Sequence, residues 1–288
     1  MINSYINNQL KKNNVNTITG FINVIREECQ KIILYSLSKT DFFKYVAFYG
    51  GTCLRLFHNL NRYSEDLDFN CLYQDTNIDL NNYVNKCVTD LESFGFKATI
   101  KTKPEYDNGD ILRRYIVIPI SDISHEYFNK NIVNKEQNIS IKIEISTEFV
   151  CGAKYERKLL ASPLFSSVLC VDYPSLFAGK ICALLTRNWK SREKGRDFYD
   201  YMFYISNEIK VNLDYVKSKL SLSLKKDNII LDMEALKEML KDRFINTDYE
   251  LVKKDIMTFV INPLEIDSIN QETFLMSLDL LLNTESDS

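Results

Sequence analysis

The sequence is poor in several residues from which familiar sites are built. Two histidines, His58 and His125, are too few for an imidazole-rich metal centre. The seven cysteines, Cys29, Cys53, Cys71, Cys87, Cys151, Cys170 and Cys182, are scattered, odd in number and without C-x-x-C spacing. That pattern fits reduced thiols in a cytoplasmic protein and argues against a disulfide framework or a zinc site. With 8 Gly and 5 Pro in 288 residues, long low-complexity stretches are excluded. No apolar run approaches the roughly 20 residues of a membrane helix, and the polar opening stretch does not read as a signal peptide. A soluble cytoplasmic chain with no membrane partner is expected.

Net charge is −3, which argues against wrapping nucleic acid over the whole surface. A nucleic-acid partner must then meet a local patch. Residues 180–196 supply the best one: Lys180, Arg187, Lys190, Arg192, Lys194 and Arg196 against Glu193 alone. The same charges also fit a solvated helix end and loop.

Hydrophobic residues make up 45%, so a chain of this length can bury a full core. Apolar spacing predicts helices over 17–38, 52–60 and 78–94, with Thr17 or Asn16 capping the first. Strands are predicted over 45–49, 66–72, 96–103, 111–120 and 138–146. The last is the clearest, with Ile139, Ile141, Ile143 and Ile145 on one face and Ser140, Lys142, Glu144 and Ser146 on the other. After about residue 172 the pattern turns helical, over 175–187, 197–206, 213–220, 233–244, 249–259 and 271–282. The expectation is an α+β chain: a mixed-sheet domain at 1–171 with an N-terminal helix, and a helical bundle at 172–288.

The chemistry lies in Phe48-Tyr49-Gly50-Gly51-Thr52 followed, after ten residues, by Tyr63-Ser64-Glu65-Asp66-Leu67-Asp68-Phe69. Gly50 and Gly51 have no Cβ, so their amides can come close to a bulky anion. The following helix would point its N-terminal N–H groups at that anion, and Thr52 adds a hydroxyl. This is a plausible seat for a triphosphate. Asp66 and Asp68, two apart on a strand, leave one face about 7 Å apart and repel unless a cation lies between them. Hard carboxylate oxygens suit Mg²⁺. Two-ion phosphoryl transfer needs a further acid on a neighbouring strand, and Glu144 is the candidate. Facing water or pairing with strand neighbours is its plain alternative.

Gly50-Gly51-Thr52 with Ser64, Asp66 and Asp68 resembles the signature of the DNA polymerase β-type nucleotidyltransferase superfamily. More narrowly, the arrangement resembles the AbiEii toxins of type IV toxin–antitoxin systems. Lys142-Ile143-Glu144-Ile145-Ser146 matches that family's third-carboxylate strand. Residues 180–187 resemble its lysine-bearing helix, and Lys194-Gly195-Arg196-Asp197-Phe198-Tyr199-Asp200 its R-D-x-Y-D segment.

The resemblance implies a polymerase β-like nucleotidyltransferase domain, a C-terminal helical domain and an active site in the cleft between them. It implies nucleotide transfer from an NTP with release of pyrophosphate, two Mg²⁺ ions and an AbiEi-like antitoxin partner. In some relatives the acceptor is the 3′ end of tRNA; others act in phage-abortive infection. Carried over residue by residue, Asp66, Asp68 and Glu144 hold metal, and Gly50, Gly51, Thr52, Ser64, Lys180 and Arg187 meet the nucleotide. Lys180 and Asp197 join the catalytic set.

Plainer roles stand beside these. Lys180 can snorkel to solvent. Arg196 and Asp200 can pair as i,i+4 neighbours. His58 reads as a packed helix residue, while Tyr199 and Trp189 are candidates to stack on a base. Three rival readings are an enzyme acting on a protein or a small molecule such as an antibiotic, a non-catalytic nucleotide-binding module, and a structural or adaptor protein, the last of which leaves four ordered motifs unexplained.

Overall fold

A computed structural model describes residues 4–74, 76–102, 107, 109–128, 137–187, 193–226 and 229–284. The patch residues Lys190 and Arg192 and the stacking candidate Trp189 lie outside these. The chain divides into two compact units: Met1–His58 with Tyr63–Phe149 and Arg157–Cys170, and Asn59–Arg62 with Val150–Glu156 and Val171–Ser288. The fold class is mixed α+β.

The first unit opens with α1 (Ser4–Lys12) and α2 (Ile18–Ser38). Thr17 caps α2, its hydroxyl accepting from the Gly20 amide at 3.1 Å. Then come β1 (Val46–Tyr49), α3 (Gly50–His58), β2 (Leu67–Cys71), α4 (Leu80–Ser93), β3 (Thr99–Lys101) and β4 (Ile111–Pro119). After α5 (Ser121–Phe128) follow β5 (Asn138–Ser146), β6 (Tyr155–Leu160) and β7 (Ser166–Val171). The strands form one seven-stranded sheet in the order β3-β4-β5-β2-β1-β7-β6.

Strand β2 runs antiparallel to β1 and parallel to β5. Period-two alternation buries Leu67, Phe69 and Cys71 and turns Asp68 and Asn70 to the other face. The same rule buries the four isoleucines of β5. Phe69 anchors an aromatic cluster, with ring centres 5.0 Å from Phe42 and 5.2 Å from Phe48. Each such ring contributes about 1.5–3 kcal/mol on burial, which fixes the acid-bearing strand against its core.

The second unit is largely helical: α6 (Tyr173–Thr186), α7 (Gly195–Ser206), α8 (Leu213–Leu224), α9 (Met233–Ile245), α10 (Tyr249–Ile256) and α11 (Gln271–Ser277). Its core is aromatic. Phe177 stacks on Tyr204 at 4.5 Å, and Tyr201, Phe244 and Phe274 pack together. Gly195 sets the closest approach, because a β-carbon there would lie 2.1 Å from the Val252 carbonyl oxygen of α10.

Helices α1 and α5 and strands β6 and β7 go beyond the elements the sequence pattern predicts. Helix α1 is mostly polar, burying only Ile6 and Leu10, and β6 exposes Tyr155, Arg157 and Leu159, so neither gives a strong apolar period. Helices α10 and α11 stop earlier than their apolar spacing suggests. All seven thiols are free, and Cys151 alone is exposed. Among the described residues no helix is long and apolar enough to cross a membrane.

Candidate active site

In the first unit the glycine turn and the acids meet. Gly50 has φ +83°, a conformation open mainly to glycine. Register pairs Tyr49, the last residue of β1, with Asp68. The carboxylate of Asp68 therefore lies over the turn, with Oδ2 2.7 Å from where a Gly50 β-carbon would be. Helix α3 begins at this turn.

Asp66 sits one residue before β2, not within the strand as its spacing suggested. The reason is its carbonyl, which accepts the Thr52 hydroxyl at 2.5 Å, while the ladder opposite β5 starts at Leu67. The Thr52 side chain is fully buried and so braces the acid loop from beneath. Buried Gln30 of α2 completes the brace, donating Nε2 to the carbonyls of Ser64 at 3.1 Å and Glu65 at 2.9 Å. Three successive carbonyls leading to the acids are thus pinned by two side chains from two helices. Nothing in the local sequence marks Gln30 for this work.

Glu144 stands beside Asp68 in the parallel register, and Arg113 of β4 stands opposite Glu144. The Arg113 guanidinium donates to Glu144 Oε2 at 2.6 Å. The Lys142 ammonium, on the same face of β5, lies 3.1 Å from Glu144 Oε2 and 3.3 Å from Asp66 Oδ2. Burial opposes the charge on Lys142, but Asp66, Asp68 and Glu144 together outweigh it and raise its pKa. Burial likewise opposes ionisation of Glu144, and Lys142 and Arg113 override it, holding its carboxyl below the usual range. Glu144, expected to complete a second metal ion, instead meets two cations. Among the described residues no group of three His, Cys, Asp or Glu side chains is arranged to hold a metal. Asp66 and Asp68 remain a pair of hard oxygen donors beside a glycine cradle, a donor set that suits one divalent cation.

His58, at the end of α3, is half-buried; burial, then the charge of Lys158, pushes its pKa down to about 4. It packs as a neutral ring.

The second unit holds a chain of buried ion pairs. Asp200 of α7 takes both Arg62 Nε and Nη2 at 2.6 Å, with both residues buried. The ammonium of Lys180, on α6, lies 2.7 Å from Asp200 and 2.7 Å from Asp197. Asp197 also takes Arg187 Nη1 at 2.7 Å. Burial opposes ionisation of Asp197, but Lys180 and then Arg187 win and drive its pKa far below the carboxylate range. Lys194, half-buried and among like charges, is lowered to about 8. Lys180 therefore neither snorkels nor stands as a lone cation: two carboxylates hold it. Arg187 keeps an exposed side chain.

Arg196 and Asp200 do not pair. Arg196 lies over the Phe259 ring at 4.1 Å, with its Nε 3.9 Å from Asp255 Oδ2. Tyr199 is buried, and its hydroxyl is engaged by the Asn61 carbonyl and Glu265, which leaves it a packing role.

No curated protein matches the sequence. The structure is similar in fold to MenT4, the nucleotidyltransferase toxin Rv2826c from Mycobacterium tuberculosis H37Rv. That match has 14% identity and a TM-score of 0.53 over 98% of this chain and 91% of that one. JHP933 from Helicobacter pylori matches at 17% identity and a TM-score of 0.46, over 89% of each chain. The family model described as "Nucleotidyl transferase AbiEii toxin, Type IV TA system" matches residues 32–272. The chain therefore belongs to the AbiEii nucleotidyltransferase toxin family of type IV toxin–antitoxin systems.

Proposed function

We propose that this chain transfers a nucleoside monophosphate from an NTP to the 3′ end of tRNA, blocking translation. The observation that carries the reading is the gathering of Asp66, Asp68 and Glu144 around Lys142, beside the Gly50 turn. A surface without chemistry has no need to hold three carboxylates so close. The tRNA acceptor is what the family resemblance implies.

Asp66 and Asp68 would hold Mg²⁺. When bound, such an ion offsets charge on the transferring phosphoryl group and the departing pyrophosphate. The amides of Gly50 and Gly51 and the N-terminus of α3 receive triphosphate oxygens. The Ser64 hydroxyl adds a donor, its backbone already fixed by Gln30. Thr52 serves through its backbone, since its hydroxyl braces Asp66. Glu144 keeps Lys142 in place beside Asp66, and in this reading it would also be a candidate base for an acceptor hydroxyl. For the second unit we propose that Arg187 and Lys180 supply positive charge toward the nucleotide, with Asp197 orienting both. Action in the cytoplasm and control by a separately encoded AbiEi-like antitoxin belong to the same reading.

The test is to incubate the protein with Mg²⁺ and each α-labelled NTP in turn, with total tRNA, protein lysate or an aminoglycoside as acceptor. Label should enter tRNA and be released by a 3′ exonuclease. Asp68→Ala should abolish incorporation while leaving the circular dichroism spectrum unchanged. Label in protein or drug would replace the acceptor; wild-type rates in the variant would end the assignment.

A further inference from the structure

We propose that Lys142 stands in for a second divalent cation, so that this chain holds one such ion where two-ion phosphoryl transfer holds two. The inference rests on the reading of Asp66 and Asp68 as metal ligands. Its own ground is the position of one ammonium group.

A second ion in a two-metal centre bridges a shared acid and the extra carboxylate on the neighbouring strand, about 3.5–4 Å from the first. In this chain the group that bridges those acids is Lys142 Nζ, 3.3 Å from Asp66 Oδ2 and 3.1 Å from Glu144 Oε2. The parallel register sets Glu144 beside Asp68 and so fixes Lys142 two residues earlier on the same face. Arg113 takes the same Glu144 oxygen at 2.6 Å. Glu144 therefore faces two cations of the protein before any ion arrives. A divalent ion seated there would have to displace a lysine held by two carboxylates and sit within a few ångströms of a guanidinium.

The charges point the same way. Three carboxylates face two protein cations, leaving one negative charge at the site. One divalent ion reverses that sign and matches an incoming triphosphate. A second ion adds charge where Lys142 already supplies it. Lys142 is then a positioning residue: it fixes Asp66 and supplies, covalently tethered, the positive charge that an ion brings elsewhere.

The test counts ions and does not depend on turnover. The full chain, in excess over a non-hydrolysable NTP analogue, is titrated with Mn²⁺ and followed by electron paramagnetic resonance. Wild type should bind one Mn²⁺ per chain with an uncoupled spectrum. Lys142→Arg, which keeps the charge, should do the same. Lys142→Met should take up a second ion and show the spectrum of a spin-coupled pair. It should also bind the first ion at least about tenfold more tightly, since a like charge is gone. A coupled pair in wild type would overturn the inference and leave Asp66 and Asp68 standing as ligands. If Lys142→Met folds but stays at one ion, the inference also falls. If Asp68→Asn binds Mn²⁺ as tightly as wild type, the reading of the acid pair itself is wrong.

Discussion

Gly50 stands directly against Asp68: a β-carbon on residue 50 would lie 2.7 Å from the Asp68 carboxylate oxygen Oδ2. The turn and the acid share one space, so Gly50→Ala has two effects. The positive φ costs about 1–2 kcal/mol with a β-carbon present, and the methyl group pushes the Asp68 carboxylate aside. Misplacing a reacting group by about 1 Å costs on the order of 100-fold in rate. Nucleotidyl transfer should fall by that much while thermal melting drops only a few degrees. A variant with full transfer activity would show that the contact is incidental.

Gln30 offers a test of the loop that leads to the acids. Gln30→Ala leaves the carbonyls of Ser64 and Glu65 without their donor, at a cost of about 1–3 kcal/mol. Hydrogen exchange should speed up over residues 63–66, with little change in α2 itself. Unchanged protection there would mean that the Thr52 hydroxyl holds the loop alone.

The buried pairs of the second unit should rank by exposure of the partner they strand. Asp200→Asn leaves Arg62 buried without its carboxylate, and breaking such a pair costs about 3–5 kcal/mol. Asp197→Asn strands Arg187, which solvent reaches, and should cost less. Guanidinium unfolding should show Asp200→Asn as the weaker protein. The pair Arg62→Met with Asp200→Leu should recover much of the loss. Equal midpoints for the two single variants would argue against the ranking.

His58 gives stability a pH dependence of known sign. Its folded pKa, about 4, lies below the unfolded value of about 6.5. The unfolded chain binds the proton first, so stability is full above pH 6.5 and declines as pH falls toward 4. Urea midpoints measured at pH 7, 6 and 5 should fall in wild type and fall less in His58→Gln. Parallel slopes would assign the acid sensitivity to other groups.

Much of this site could be read along the chain, and what could not has a common cause. Strand alternation places Asp68, Lys142 and Glu144 on the faces turned away from the buried apolar residues of their strands, because period-two burial is a local property. The bounds of β5 follow from its isoleucines alone. Gln30 and Arg113 escape such reading, since one acts through a helix packed beneath the loop and the other through cross-strand register. The partner of Asp200 shows the same limit. Helical spacing nominates Arg196, four residues away, yet the buried carboxylate takes Arg62 across 138 positions. Short-range rules propose neighbours; burial chooses the partner that excludes water.

The pairing of β2 with β5 brings together two segments made at very different moments of synthesis. A ribosome that has released the glycine turn and both motif aspartates has not yet supplied Glu144, Lys142 or the neutralising charge they share. The cluster of Asp66, Asp68, Lys142 and Glu144 therefore assembles only once the later strand docks. Long-range strand pairing of this kind is slow to form, so the cluster is completed late in folding.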